Sequence, residues 1–195
     1  MEWRTRALHA LQLTEPEAKC QAVQALWAER AHTPLAPDAV LAPQPGMPLP
    51  GRPERPRLIP PGEVPTRSPY TPEGRAALVH AICHIEFNAI NLALDAVWRF
   101  GGMPEAFYRD WLQVAQEESR HFEMLHQQLQ AMGWRYGDFE AHDGLWEMCE
   151  KTRDDITARM ALVPRTLEAR GLDATPLIQA RLRKVGTPEI GRAHV

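Results

Sequence analysis

The sequence predicts an all-α protein: a bundle of long helices, preceded by a small helical pair and a proline-rich extended strap. Three observations carry this. Two runs of about 28 and about 29 residues, Glu73 to Phe100 and Pro104 to Gly133, repeat apolar residues at helical spacing. The break between them, Gly101-Gly102-Met103, is so short that the two helices must be antiparallel neighbours. Near the middle of the second run stands Glu118-x-x-His121, whose carboxylate and imidazole fall one above the other on a single helix face, where both can grip one metal ion.

Composition limits what such a site can serve. At 195 residues and 44% hydrophobic content the chain has room for one good-sized core plus an appendage, and a formal charge of −3 gives no reason to invoke nucleic acid or acidic lipid. Cys20, Cys83 and Cys149 are odd in number, far apart and without C-x-x-C pairing, which fits small buried hydrophobes in a reducing compartment. No apolar run is read as long enough to span a bilayer, and Glu2, Arg4, Arg6 and His9 interrupt any signal-peptide centre. The expected location is the cytoplasm. Phosphate-binding glycine loops, nucleophile elbows and basic-aromatic stripes for nucleic acid are missing from the sequence.

The N-terminal domain, residues 1–33, reads as a helical pair. Ala7, Leu8 and Leu11 recur in a first helix and Ala18, Ala22, Ala25 and Leu26 in a second, which a capping box of Thr14, Pro16 and Glu17 should open. Residues 34–72 hold 13 of the chain's 18 prolines, so neither a helix nor a central strand can form there. We expect an extended strap laid along the bundle with Leu58, Ile59 and Val64 as apolar teeth. Recognition of the strap by a partner as a polyproline ligand is the alternative.

The helical domain follows over residues 73–188. Thr71 caps, Pro72 takes the first helical position, and Val79, Ile82, Cys83, Glu86, Ala89, Ile90, Ala93 and Val97 line one face. Glu86 is the lone carboxylate in that stripe, and such a group is costly to bury unless paired or bound to metal. His80 and His84 fall off this face and read as non-ligands. On the next helix Trp111, Val114, Glu118, His121, Phe122, Leu125 and Leu129 make the expected inward face. Glu86 and the Glu118/His121 pair each lie near the midpoint of their helix, so an antiparallel hairpin sets them at one level. An irregular link from Trp134 to Asp143, extended far enough to allow a crossover, leads to a third helix from Gly144 to about Arg170, capped by Asp143 and kinked at Pro164. Glu168 is its expected ligand, with Asp154 in reserve.

The strings HAICHIEFNAINLALD, VAQEESRHFEMLHQQL, GDFEAHDGLWE and ARMALVPRTLEARGLDATP, which begin at His80, Val114, Gly137 and Ala158, resemble the DUF455 family of bacterial proteins over Arg52 to Val185. The resemblance implies a ferritin-like four-helix bundle with a dinuclear iron or manganese centre. Glu86, Glu118, His121 and Glu168 would be ligands, and a second Glu-x-x-His would lie on a fourth helix. After a short helix from Pro176 to Val185 only Gly186 and nine further residues remain. Arg192 stands where Glu189-x-x-His would need its imidazole. One codon choice for Glu189 to Val195 contains a common short-read sequencing adapter, so residues 189–195 are expected to be a non-native tail. The bundle would then lack most of its fourth helix, and the chain alone would aggregate or form a homodimer and hold metal weakly.

Two functions of different class follow. One is a metal-dependent oxidoreductase that uses dioxygen to oxidise or hydroxylate an unidentified small molecule. The other is an iron-oxidising or metal-buffering protein. A scaffold with purely structural carboxylates is the third reading. The proline-rich strap sits awkwardly on a surface that must tile into a storage shell, which favours the enzyme.

Overall fold

A computed structural model describes residues 1–162. Among them the chain is all-helical: α1 is Trp3–Gln12, α2 Pro16–Glu29, α3 Pro72–Arg99, α4 Glu105–Ala131, α5 Gly144–Lys151 and α6 Ile156–Leu162. Single 3-10 turns occupy Arg30–His32 and Pro61–Glu63, so the strap is not extended throughout. The one β-type pairing among these residues is an isolated parallel bridge between Leu58 and Ala141. The expected kink at Pro164, the ligand Glu168, the helix from Pro176 and the tail from Glu189 lie outside the described residues.

The chain divides into two compact units, and α3, α4 and the strap each contribute to both. The first comprises Met1–Pro56 and His84–Glu123. Here α1 is capped by the Glu2 carboxylate, which accepts from the backbone N–H groups of Arg4 and Thr5. The second helix opens one residue later than the capping box suggests: Glu15 is its N-cap and makes no side-chain cap bond. The cause is Pro16, which bars the residue before it from helical dihedrals; Glu15 accordingly sits at φ −79° and ψ 121°. Ala7, Leu8, Leu11, Cys20, Val23 and Leu26 are buried between these helices and their neighbours. Arg4 is buried, and its guanidinium donates to the carbonyls of Ala36, Pro37, Ala39 and Trp98 at 2.7–3.2 Å. That satisfies otherwise orphaned carbonyls of the strap's start and the end of α3.

Thr71 opens α3 as expected, accepting from Gly74 N–H at 3.0 Å. The expected stripe Val79, Ile82, Cys83, Glu86, Ile90, Ala93 and Val97 is buried, with Ala89 of the same stripe only half-buried, but so is much of the opposite side, including His84, Asn88, Asn91 and Asp95. Each of these finds a polar neighbour. His84 Nε2 lies 3.0 Å from Asn88 Nδ2, and Asp95 takes a forked ion pair from Arg99, with a closest approach of 2.7 Å, plus the Trp98 indole N–H. Contrary to the sequence reading, α3 is long and apolar enough to cross a bilayer by length and composition alone; 72% of its most apolar window is buried inside the chain, which is how a central core helix also reads.

In α4 the buried line is Tyr108, Leu112, Ala115, Ser119, Phe122, Leu125 and Leu129, while Trp111, Val114, Glu118 and His121 are half-buried. Over Trp111 to His121 the inward face is therefore rotated by about one residue from the expected one, while Phe122, Leu125 and Leu129 are buried as expected. Ser119 can sit in the buried line because its hydroxyl donates to the Gln116 carbonyl at 2.7 Å.

The second unit comprises Arg57–Cys83 and Met124 onward. Its strap residues are tied down by backbone: Ile59 N–H donates to Ala141 O at 2.9 Å and Ala141 N–H to Arg57 O at 3.1 Å. Leu58, Ile59 and Val64 are half-buried. The link after α4 is folded, not extended. Gly133 and Gly137 take positive φ of 84° and 106°, and the Asp138 carboxylate accepts from Arg135 N–H across a turn. Gly137 N–H then donates to the buried His80 Nε2 at 2.9 Å, on whose ring Tyr136 stacks.

The third helix does not run unbroken from Gly144. It stops at Lys151 and restarts at Ile156. Thr152 turns its hydroxyl back on Met148 O at 2.9 Å, and the fully buried Arg159 guanidinium takes Cys149 O and Thr152 Oγ1, each at 2.7 Å. Asp155 caps the restart, accepting from Thr157 and Ala158 N–H. Asp143 does precede α5, but makes no side-chain cap bond.

Candidate metal centre

Three donors converge in the first unit. One atom each from Glu86, Glu118 and His121 lies within 4.8 Å of the other two. Their placement follows from helix geometry: Glu118 and His121, three apart on α4, stack on its half-buried side, and Glu86 projects from the buried stripe of α3. His121 Nδ1 is 2.9 Å from Glu118 Oε2. Two adjacent ligands each ~2.1 Å from one ion and at right angles are separated by about 3 Å, so this spacing fits shared coordination.

The two carboxylates differ sharply in setting. Glu86 is 4% exposed, whereas the Glu118 and His121 side chains are 24% and 31% exposed. Burial is the main force raising the Glu86 pKa, to about 10, and a hydrogen bond and charge repulsion from Glu118 add to it. Without a cation, Glu86 thus keeps a proton that it shares with Glu118. Two carboxylate oxygens and an imidazole nitrogen form a donor set suited to iron or manganese, and a cation here offsets the cost of burying a second negative charge. The residues present fit the metal that the resemblance implies.

Of the other sequence candidates, Asp154 is not in this group. Its side chain is 86% exposed in the second unit and faces Arg153. Glu168 lies outside the described residues. His84 is engaged by Asn88 and His80 by Gly137, each in its own unit. The sequence reading missed Lys19. It is fully buried in α2, its ammonium donating to Leu11 O at 3.1 Å, Gly51 O at 2.7 Å and Asn91 Oδ1, 4.8 Å above the centre of the Phe87 ring. Burial, then the charge of Arg52, lowers its pKa well below the ordinary lysine range, while three oxygen acceptors occupy all three donors of an ammonium. No short motif announces such a group, because its acceptors come from distant parts of the chain.

The profile of a family described as "Protein of unknown function (DUF455)" matches residues 12–193. An uncharacterized protein of Haemophilus influenzae (strain Rd) is 49% identical over 187 residues, covering 89% of this chain. The chain spans 63% of that relative's length. No solved structure matches the chain.

Proposed function

Since the chain belongs to the DUF455 family, whose description assigns no activity, we propose a function from the site itself: a ferritin-like metalloprotein with a dinuclear iron or manganese centre that directs oxygen-dependent oxidation or hydroxylation of a small molecule. The observation that carries this reading is the convergence of Glu86 with Glu118 and His121 from two adjacent long helices. In dinuclear carboxylate bundles two helices each give a Glu and two each give a Glu-x-x-His; α3 and α4 supply one of each. Glu168 is the carboxylate proposed for a third helix.

Such a centre, when bound, supplies Lewis acidity and two-electron redox chemistry toward dioxygen. The protein's own groups do the rest. Glu86, sunk in the core, is the ligand that must give up a proton on binding, and Glu118, its hydrogen-bond partner, is placed to receive it or pass it outward. His121, about a third exposed, stands on the open side of the group. The Phe87 and Phe122 rings, 5.6 Å apart and each next in sequence to a ligand, are buried and exclude water from the core side.

The test is metal content after anaerobic loading with ferrous or manganous ion. Glu118→Ala and His121→Ala should each lose bound metal while helix content by circular dichroism stays near wild type. Equal metal content in wild type and both variants would overturn the reading.

A further inference from the structure

The fully buried Lys19 is not explained by the metal reading, and its surroundings lead back to the site. Its three oxygen partners come from three different places: the end of α1 at Leu11, the strap at Gly51, and α3 at Asn91. Its ammonium stands over one face of Phe87. Phe87 in turn meets Phe122 with ring centroids 5.6 Å apart and planes tilted by 51°. Phe87 follows Glu86 in sequence and Phe122 follows His121, so this ring pair is the packing contact beside the ligands on both helices. A second tie runs alongside it, as Gln24 of α2 donates to Glu123 of α4 at 2.9 Å.

We propose that Lys19 is a positioning residue for the candidate metal centre: by gripping Leu11, Gly51 and Asn91 and holding the Phe87 ring against Phe122, it fixes the rotation of α3 that turns Glu86 toward Glu118. The inference rests on the metal reading above and adds what the N-terminal helical pair and strap do for it.

The magnitudes support a positioning role. Phe87 and Asn91 are four apart and share one side of α3, about 100° and about 140° around from Glu86. A carboxylate roughly 5–6 Å from the helix axis moves about 2 Å if the helix turns by about 20°. Metal–ligand distances tolerate only about 0.2 Å. Packing of apolar side chains alone allows small rotations, since volume-conserving rearrangements cost little. An ammonium whose three donors are fixed by two carbonyls and one amide oxygen does not, because rotation strands at least one buried polar partner. The same logic explains why a lysine is kept in a core despite its desolvation cost.

The experiment compares Lys19→Met and Phe87→Leu with Val23→Ala, a buried change one turn along the same helix that removes no hydrogen-bonding group. Each variant and the wild type is titrated with Co(II), read by its visible d–d bands, and with Mn(II), read by loss of the free-ion EPR signal. Lys19→Met and Phe87→Leu should each weaken binding about 10- to 100-fold, as loss of groups that orient ligands typically does, and should shift the Co(II) bands. Val23→Ala should lower thermal stability yet keep wild-type bands and affinity. Should Lys19→Met fail to fold, Phe87→Leu carries the test. Wild-type bands and affinity in the folded positioning variants would overturn the inference and leave the metal reading standing; so would losses as large in Val23→Ala. A wild-type protein that binds neither ion overturns the metal reading, and this inference with it.

Discussion

Glu86 lies almost fully buried near the middle of α3. A carboxylate in an otherwise apolar stripe was readable from periodicity, and its meaning lies in the proton it holds. Its pKa is raised from the ordinary carboxylate value of 4.5, so as pH climbs past that value the unfolded chain has released a proton that the folded, metal-free chain retains. The folded state then binds more protons, and stability falls with rising pH. We expect metal-free protein to lose stability between pH 5 and pH 8 by up to about 1.4 kcal/mol per pH unit from this group alone. Urea unfolding of Glu86→Gln should show a flatter pH dependence and greater stability at neutral pH; an unchanged slope would contradict the assignment. Metal binding must expel that proton, so affinity should rise with pH over the same interval. Other residues were not legible one at a time. Lys19, Arg4 and Arg159 look like surface cations in sequence, yet all three are buried. Their acceptors lie 8 to 94 residues away for Lys19 and Arg4, and are mostly backbone carbonyls, which carry no sequence signal.

At the scale of elements, punctuation was the reliable guide. Thr71-Pro72 and Gly101-Gly102 bound α3, and Gly133 ends α4 in the left-handed conformation, all as local rules require. Where two local rules competed, the stiffer one won: Pro16 overrode the capping box at Thr14, and Asp155 with the Thr152 back-bond broke the third helix at a point where periodicity continued. The rotation of α4 over Trp111 to His121 was missed because Ser119 interrupts its buried line with a polar letter. The strap carries two predictions. A Cβ at Gly51 would meet Gln12 O at 2.2 Å and Leu13 O at 2.4 Å, both backbone atoms that cannot swing away. Gly51→Ala should therefore destabilise by about 1–3 kcal/mol or more, in the range of overpacked cores, measured as a lower urea midpoint; a midpoint within error of wild type would contradict the close packing. Trypsin should cut slowly at Arg57 despite its exposed side chain, because the flanking backbone is bonded to Ala141 on both sides. Rapid native-state cleavage there would show that the strap opens.

At the scale of the whole molecule, the all-helical class was legible because two long runs with helical periodicity dominate the chain. The burial of α3 on nearly all sides was not, since a stripe of His84, Asn88, Asn91 and Asp95 reads as a solvent face until the buried partners are known. The same limit applied to the candidate site: Glu86, Glu118 and His121 were legible by spacing, while the cations and rings behind them were not. What unites these levels is one claim, that two helices present Glu86, Glu118 and His121 to a common metal ion. The most direct measurement is pulsed EPR of the Mn(II)-loaded protein, which reads nitrogen nuclei bound to the ion. A single imidazole nitrogen coupling should appear, disappear in His121→Ala and persist in His126→Ala, a substitution five residues further along α4. A coupling unchanged in His121→Ala, or none in the loaded wild type, would contradict it.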